Sequence, residues 1–209
     1  MKSKMKAMLN NKMFLIGSVL FLVVIIAVIF APQIAPHTYE EQNMSMRLVA
    51  PCRQYPLGTD QYGRCVFSRV IYGSRIAMSV GLIAVIIETV IGVTLGILAG
   101  YYGKKMDKVV LFVTDATWSI PPIILAMAIV LMLGPSAQNV AISIAVVSWA
   151  QFTKIIRAKV QSIKDLSYIE AARISGEKDI NIIFRYIMPN LTSSIIILAT
   201  LALPAAILS

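Results

Sequence analysis

The chain has 209 residues, of which 58% are apolar and 14% charged, with mean hydropathy +0.78 and net charge +9. That balance excludes a soluble globular domain and describes a polytopic membrane protein. The positive charge does not signal nucleic acid, because the cations sit at the ends of apolar runs and no stretch interleaves clustered arginines with aromatics.

Residues 1–12 form a basic N-terminus with Lys2, Lys4, Lys6 and Lys12. The apolar run 13–31 follows, longer than the core of a secretory signal, and is expected to be a retained first span. Residues 32–75 are polar and hold Arg47, Arg53, Arg64, Arg69 and Arg75, with His37, Cys52 and Cys65. The cysteine spacing is neither a metal knuckle nor a redox motif, and both a disulfide and two free thiols fit it. His37 has no partner cluster and reads as a loop residue. Within 57–75, Gly58 and Gly63 break the chain, Thr59 or Asp60 can cap, and a helix begins near Val66.

Further runs at 76–100, 109–133, 138–156 and 191–209 are long enough to cross about 30 Å of hydrocarbon. In the second span Gly92, Gly96 and Gly100 repeat every fourth residue, with Gly81 at its other end, which lets helix backbones approach closely. Glu88 lies deep in this span. It either lines a wet translocation path or is neutral and hydrogen-bonded to a neighbouring helix. The third run carries Asp115, Trp118 and Pro121-Pro122, and is expected to bend at the prolines. With the N-terminus in the cytosol, segments 1–12, 101–108 and 154–190 would hold 14 of the 19 Lys and Arg residues, the orientation the positive-inside rule favours.

Residues 168–190, YIEAARISGEKDINIIFRYIMPN, are a polar insert between uncharged runs. Ser167 and Glu170 have capping-box spacing, and Gly176 supplies a left-handed stop, so a helix of about two turns is expected with a small face at Ala171 and Ala172. A second helix is expected from Asp179, with Ile180, Ile183, Phe184 and Ile187 on one face, ended by Pro189.

This pattern resembles the EAA motif of permease subunits of binding-protein-dependent ABC importers, whose form is E-A-A, three residues, G, nine residues, I-x-L-P. Glu170, Ala171, Ala172, Gly176 and Pro189 match, while Tyr186 stands at the Ile position and Met188 at the Leu position. A second stretch, Leu57, Gly58, Thr59, Asp60, Gly63, Arg64, Ser68 and Arg69, resembles the L-G-T-D-x-x-G-R-D-x-x-S-R of the peptide and nickel branch, with Cys65 in place of the Asp.

The resemblance implies an all-α transmembrane helical bundle of the type I importer kind, five spans being expected here and six in the family, so that a last span would follow residue 209. It implies a core at 76–209 with a cytosolic EAA loop at 157–190, seated in the cell (cytoplasmic or inner) membrane. Glu170, Ala171, Ala172, Gly176, Tyr186, Met188 and Pro189 would couple it to two cytosolic ATPase subunits. A second permease would share the pore, and an external solute-binding protein would deliver peptides, or nickel or a metal chelate. No phosphate loop, catalytic constellation, cofactor motif or metal-ligand set is present in the sequence, so ATP hydrolysis would belong to separate subunits. Two other classes stay open: a proton-coupled secondary transporter with Glu88 as its proton site, and a non-transporting membrane assembly protein.

Overall fold

The computed structural model describes residues 11–208. All of the expected 1–12 segment except its last two positions therefore lies outside the described residues. The chain divides into two compact units between Met78 and Ser79, and the named elements among the described residues are all helical.

In the first unit, helix α1 (Lys12–Ile29) is capped by Asn11, whose side chain accepts from the Met13 and Phe14 amides. None of its residues is buried. A single turn, α2 (Ala31–Ile34), follows, and then an irregular segment held by a few polar knots. Thr59 Oγ1 accepts from the Val49 amide at 2.8 Å and donates to the Met46 carbonyl at 2.5 Å. Asp60 Oδ1 accepts from the Tyr62 and Arg64 amides, and its Oδ2 meets Arg64 Nε at 2.7 Å. Burial draws the Asp60 carboxyl upward, but those two amides and the Arg64 guanidinium outweigh it and hold it below the usual carboxylate range. Gly63 has φ +71°, and a Cβ there would lie 1.8 Å from the Asn43 carbonyl oxygen, so glycine is obligatory. His37 is a structural loop residue stacked on Tyr55 at 4.9 Å between centroids. Both cysteines are free thiols, Cys52 exposed and Cys65 buried.

Helix α3 (Val66–Tyr102) merges the expected short helix after Arg64 with the second span in one 37-residue rod. The third expected span is instead a pair, α4 (Lys104–Trp118) and α5 (Pro122–Leu133), bent by 85°. The bend falls at the prolines as expected, but it is a break rather than a kink. Pro122 forces the residue before it out of the helical region, and Pro121 accordingly sits at ψ 128°. Among the described residues four helices are thus long and apolar enough to cross a membrane, or five if the bent pair counts as one span.

Helix α6 (Ala137–Lys164) starts at Ser136, whose hydroxyl accepts from the Asn139 amide at 3.1 Å. Eleven of its residues are buried, from Ala141 to Ile163. Its partner is the glycine row of α3: a Cβ at Gly92 would stand 2.4 Å from Phe152 Cβ, one at Gly96 2.8 Å from Ile156 Cβ, and one at Gly100 2.7 Å from Val160 Cβ. Such contact replaces the hydrophobic drive that lipid withholds. Gly81 makes room for Leu203 and Ile207.

Helix α7 (Ser167–Ile174) is followed by α8 (Asp179–Leu208), a 30-residue helix with a π-turn at Ile183–Ile187. Pro189 does not end it, contrary to expectation. The wide turn lets the Met188 amide reach back five residues to the Ile183 carbonyl, which gives the proline ring space and makes its missing donor harmless. The π-turn also rotates the buried face. Ile182, Ile183, Ile187 and Leu191 are buried, whereas Ile180 and Phe184, expected on the same face as Ile183 and Ile187, are exposed.

Candidate functional site

The E-A-A segment forms the expected two-turn helix, α7, but its start differs from the sequence expectation. Ser167 is already helical, Leu166 occupies the cap position in extended backbone, and no side chain caps the turn. The Ile169 and Glu170 amides use the Leu166 carbonyl instead. No capping box forms, since the cap falls one residue too early for Ser167 and Glu170 to serve each other.

The stop is as expected. Gly176 has φ +77°, the Glu177 amide bonds back to the Ala172 carbonyl and the Gly176 amide to that of Arg173, each at 3.1 Å. This pair is the complete Schellman arrangement. A Cβ at Gly176 would meet nothing within 4 Å, so the glycine is required by its backbone angle alone.

The two alanines part company. Ala172 is 8% exposed and packs with Ile169 into the second unit's core beside Ile163, Ile182 and Ile187. Ala171 points outward with Glu170, and Ile174 at the helix end is 81% exposed. The small face expected at both alanines is therefore one outward residue and one inward one, because adjacent positions on a helix lie about 100° apart. The outward strip is Glu170, Ala171 and Ile174.

The other matched positions anchor this strip. Tyr186 is half-buried, its ring 6.4 Å from that of Tyr168. Asn190 Nδ2 donates to the Tyr186 carbonyl at 2.6 Å and to the Tyr168 hydroxyl at 3.2 Å, tying the start of α7 to the turn after Pro189. Met188 packs on the core, and Pro189 is exposed. Two further ties had no readable signal, since each joins residues far apart in sequence. The Tyr101 hydroxyl donates to Asp179 Oδ1 at 2.7 Å, and Arg157 forms a two-pronged ion pair with Asp107, its Nη2 2.6 Å from Oδ2.

Glu88, the other sequence-derived site residue, stands well apart from this segment. Its side chain is 2% exposed and lies on the wall of a cavity of about 820 Å³. The polar lining is Glu88, Ser143, Ser148 and Gln151; the rest is apolar, from α5, α6 and α8. Ser148 is its hydrogen-bonding neighbour, and Oε1 has no protein partner. Glu88 thus faces the cavity and Ser148 of α6 at once. At the break between α4 and α5, Lys154 Nζ pairs with Asp115 at 2.6 Å and lies 4.9 Å over the Trp118 ring.

Residues 92–209 match the family described as binding-protein-dependent transport system inner membrane component, and residues 3–51 match the N-terminal transmembrane domain of oligopeptide transport permease C. The chain is 40% identical to the dipeptide transport system permease protein DppC of Alkalihalophilus pseudofirmus over 97% of its own length and 67% of the relative's. It is 34% identical to the protein of the same name from Haemophilus influenzae, over 95% of this chain and 70% of that one. With the oligopeptide transport system permease protein OppC of Bacillus subtilis it shares 28% identity, over 99% and 68%. It thus spans roughly two thirds of the length of these relatives. On these matches, and on a bundle of apolar helices interrupted by the E-A-A segment, the chain belongs to the family of inner membrane components of binding-protein-dependent transport systems: a multi-pass membrane transport subunit, not itself an enzyme.

Proposed function

We propose that this chain is a pore-forming permease subunit of an ATP-driven importer that brings peptides into the cell. In this reading a second permease completes the pore, two cytosolic ATPase subunits dock on α7, and an external binding protein delivers the solute. The N-terminus and the 157–190 loop are cytosolic and the 32–75 segment is external, as the Lys and Arg distribution favours. Peptide is preferred over nickel because the relatives' names specify dipeptides and oligopeptides.

The observation that carries the reading is the outward strip Glu170, Ala171 and Ile174 on a helix whose other edge is sealed in the core. A helix of eight residues has little stability of its own, so its position is set by these anchors, and a push on the strip passes into them. Gly176, Tyr186, Met188 and Pro189 serve the coupling by holding α7 and the head of α8 in place rather than by touching the ATPase. The cavity beside Glu88 belongs to the solute path, its carboxylate and three neutral polar side chains offering hydrogen bonds in an otherwise apolar wall.

The test is uptake into proteoliposomes containing the complete importer. Labelled dipeptide should accumulate only with ATP inside and binding protein outside. Accumulation driven by a proton gradient without ATP would replace this reading with a secondary transporter, and ATP-driven uptake of nickel but not peptide would move the solute assignment.

A further inference from the structure

We propose that Tyr101 is a positioning residue for energy coupling: it latches the end of α3 to the elbow between α7 and α8. The inference rests on the reading of α7 as the docking helix, and goes beyond it by naming the route from that helix into the spans. Tyr101 is 8% exposed and sits one residue past the glycine row, at the end of the core that contains Val93 and Ile97. Its hydroxyl donates to Asp179 Oδ1 at 2.7 Å, and the Arg173 guanidinium lies 5.8 Å from its ring centroid. One side chain of α3 thus touches the last turn of α7 and the first residue of α8, on both sides of the Gly176 stop.

Asp179 heads α8, a position where a carboxylate ordinarily favours the helix's own amides. Here one of its oxygens takes the phenol, so the bond joins two elements 78 residues apart in sequence instead of serving only α8. The ring is braced by Tyr102, edge-on at 5.2 Å between centroids. Gly100, next to Tyr101, is locked against Arg157 and Val160 of α6. Displacing the elbow, α7 together with the head of α8, therefore either breaks the phenol–carboxylate bond or drags α3, and α6 with it. A hydrogen bond to a charged group is strong enough to make dragging the favoured outcome for small displacements.

The experiment measures peptide transported per ATP hydrolysed by the complete reconstituted importer carrying Tyr101→Phe, Asp179→Ala, Asp179→Asn or the Tyr101→Phe/Asp179→Ala pair. Phenylalanine keeps the ring beneath Arg173 and removes only the hydroxyl. Subunit assembly and basal ATP hydrolysis should be unchanged in Tyr101→Phe while transport per ATP falls about tenfold, the scale of one hydrogen bond to a charged group. Asp179→Asn, which keeps an acceptor, should retain most of the coupling. The double variant should be no worse than either single one, as expected of two halves of one interaction. An unchanged ratio in Tyr101→Phe, or additive losses in the pair, would overturn the latch. So would Asp179→Ala assembling with normal coupling, even if Tyr101→Phe failed to assemble. A cysteine at Ile174 separates the two readings. Its cross-link to the ATPase persisting in Tyr101→Phe alongside an unchanged ratio removes the latch alone; no cross-link in the parent removes the docking reading and the latch together.

Discussion

The seam between α3 and α6 and the elbow between α7 and α8 belong to the same unit, yet they are held by opposite means. Along the seam three glycines bring α3 against Phe152, Thr153, Ile156 and Val160 with no space left for a methyl group. At the elbow the short helix is held by two inward apolar side chains, one left-handed glycine and a hydrogen bond from Asn190, and the head of α8 by one from Tyr101. Close packing has one solution and resists graded deformation. A few directional bonds can break and re-form singly. Under the proposed function the seam is the rigid frame and the elbow the part that would receive motion.

Breaking the frame should have the largest effect. Gly92→Ala places a methyl 2.4 Å from Phe152 Cβ and 3.2 Å from the Thr153 amide nitrogen, neither of which is the end of a flexible side chain. The expected loss is about 3 kcal/mol or more, at the upper end for overpacking. It should be visible as lower thermal stability in detergent and little folded subunit in the membrane.

Ala172→Leu and Ala171→Leu sharpen the comparison at the elbow. Ala172 faces the core, so its enlargement should cost about 1–3 kcal/mol of stability, whereas Ala171→Leu should leave melting unchanged and weaken ATPase co-purification. Equal effects at the two alanines would mean that the helix does not have an inner and an outer edge.

Gly176→Ala is expected to cost about 1 kcal/mol through its backbone angle alone, since the methyl would meet nothing. Gly176→Asn should cost less, because asparagine tolerates the left-handed region better. Transport per ATP should fall in the order Gly, Asn, Ala while insertion stays constant.

The smallest effect lies in the 32–75 segment, which uses the same directional style of anchoring. The Asp60 carboxyl is held below its ordinary value in the folded chain. Its contribution is therefore fully present above the unfolded value near 3.9 and is lost as pH falls through the lower folded value. Protease protection of the 32–75 segment should weaken over that acid range, and Asp60→Asn should remove the pH dependence.

Much of this contrast was legible in the sequence. The four-residue glycine spacing announced the seam, and Gly176, four residues past Ala172, announced the stop. Composition and run length gave the membrane bundle, and the E-A-A spacing gave the family. Expectations that rest on one residue's local preference fail here. Pro189 breaks an ordinary α-helix, but a π-turn before it removes the clash. Ser167 can cap, but Leu166 left the helix first. Alanines 171 and 172 are equally small, and only the register of α7 on its core decides which one faces outward. The Tyr101–Asp179 and Asp107–Arg157 pairs carry no sequence signal, because nothing in either local pattern points to a partner so distant.

The central claim, that the outer edge of α7 receives the ATPase while its inner edge is sealed, is tested most directly by cysteine cross-linking in the assembled importer. Single cysteines at Ala171, Ala172 and Ile174 would be treated with a short thiol cross-linker in the presence of ATPase subunits carrying cysteines around their docking groove. The account predicts adducts from Ala171→Cys and Ile174→Cys and none from Ala172→Cys. Adducts from Ala172→Cys alone, or from none of the three in a complex that hydrolyses ATP on demand, would contradict it.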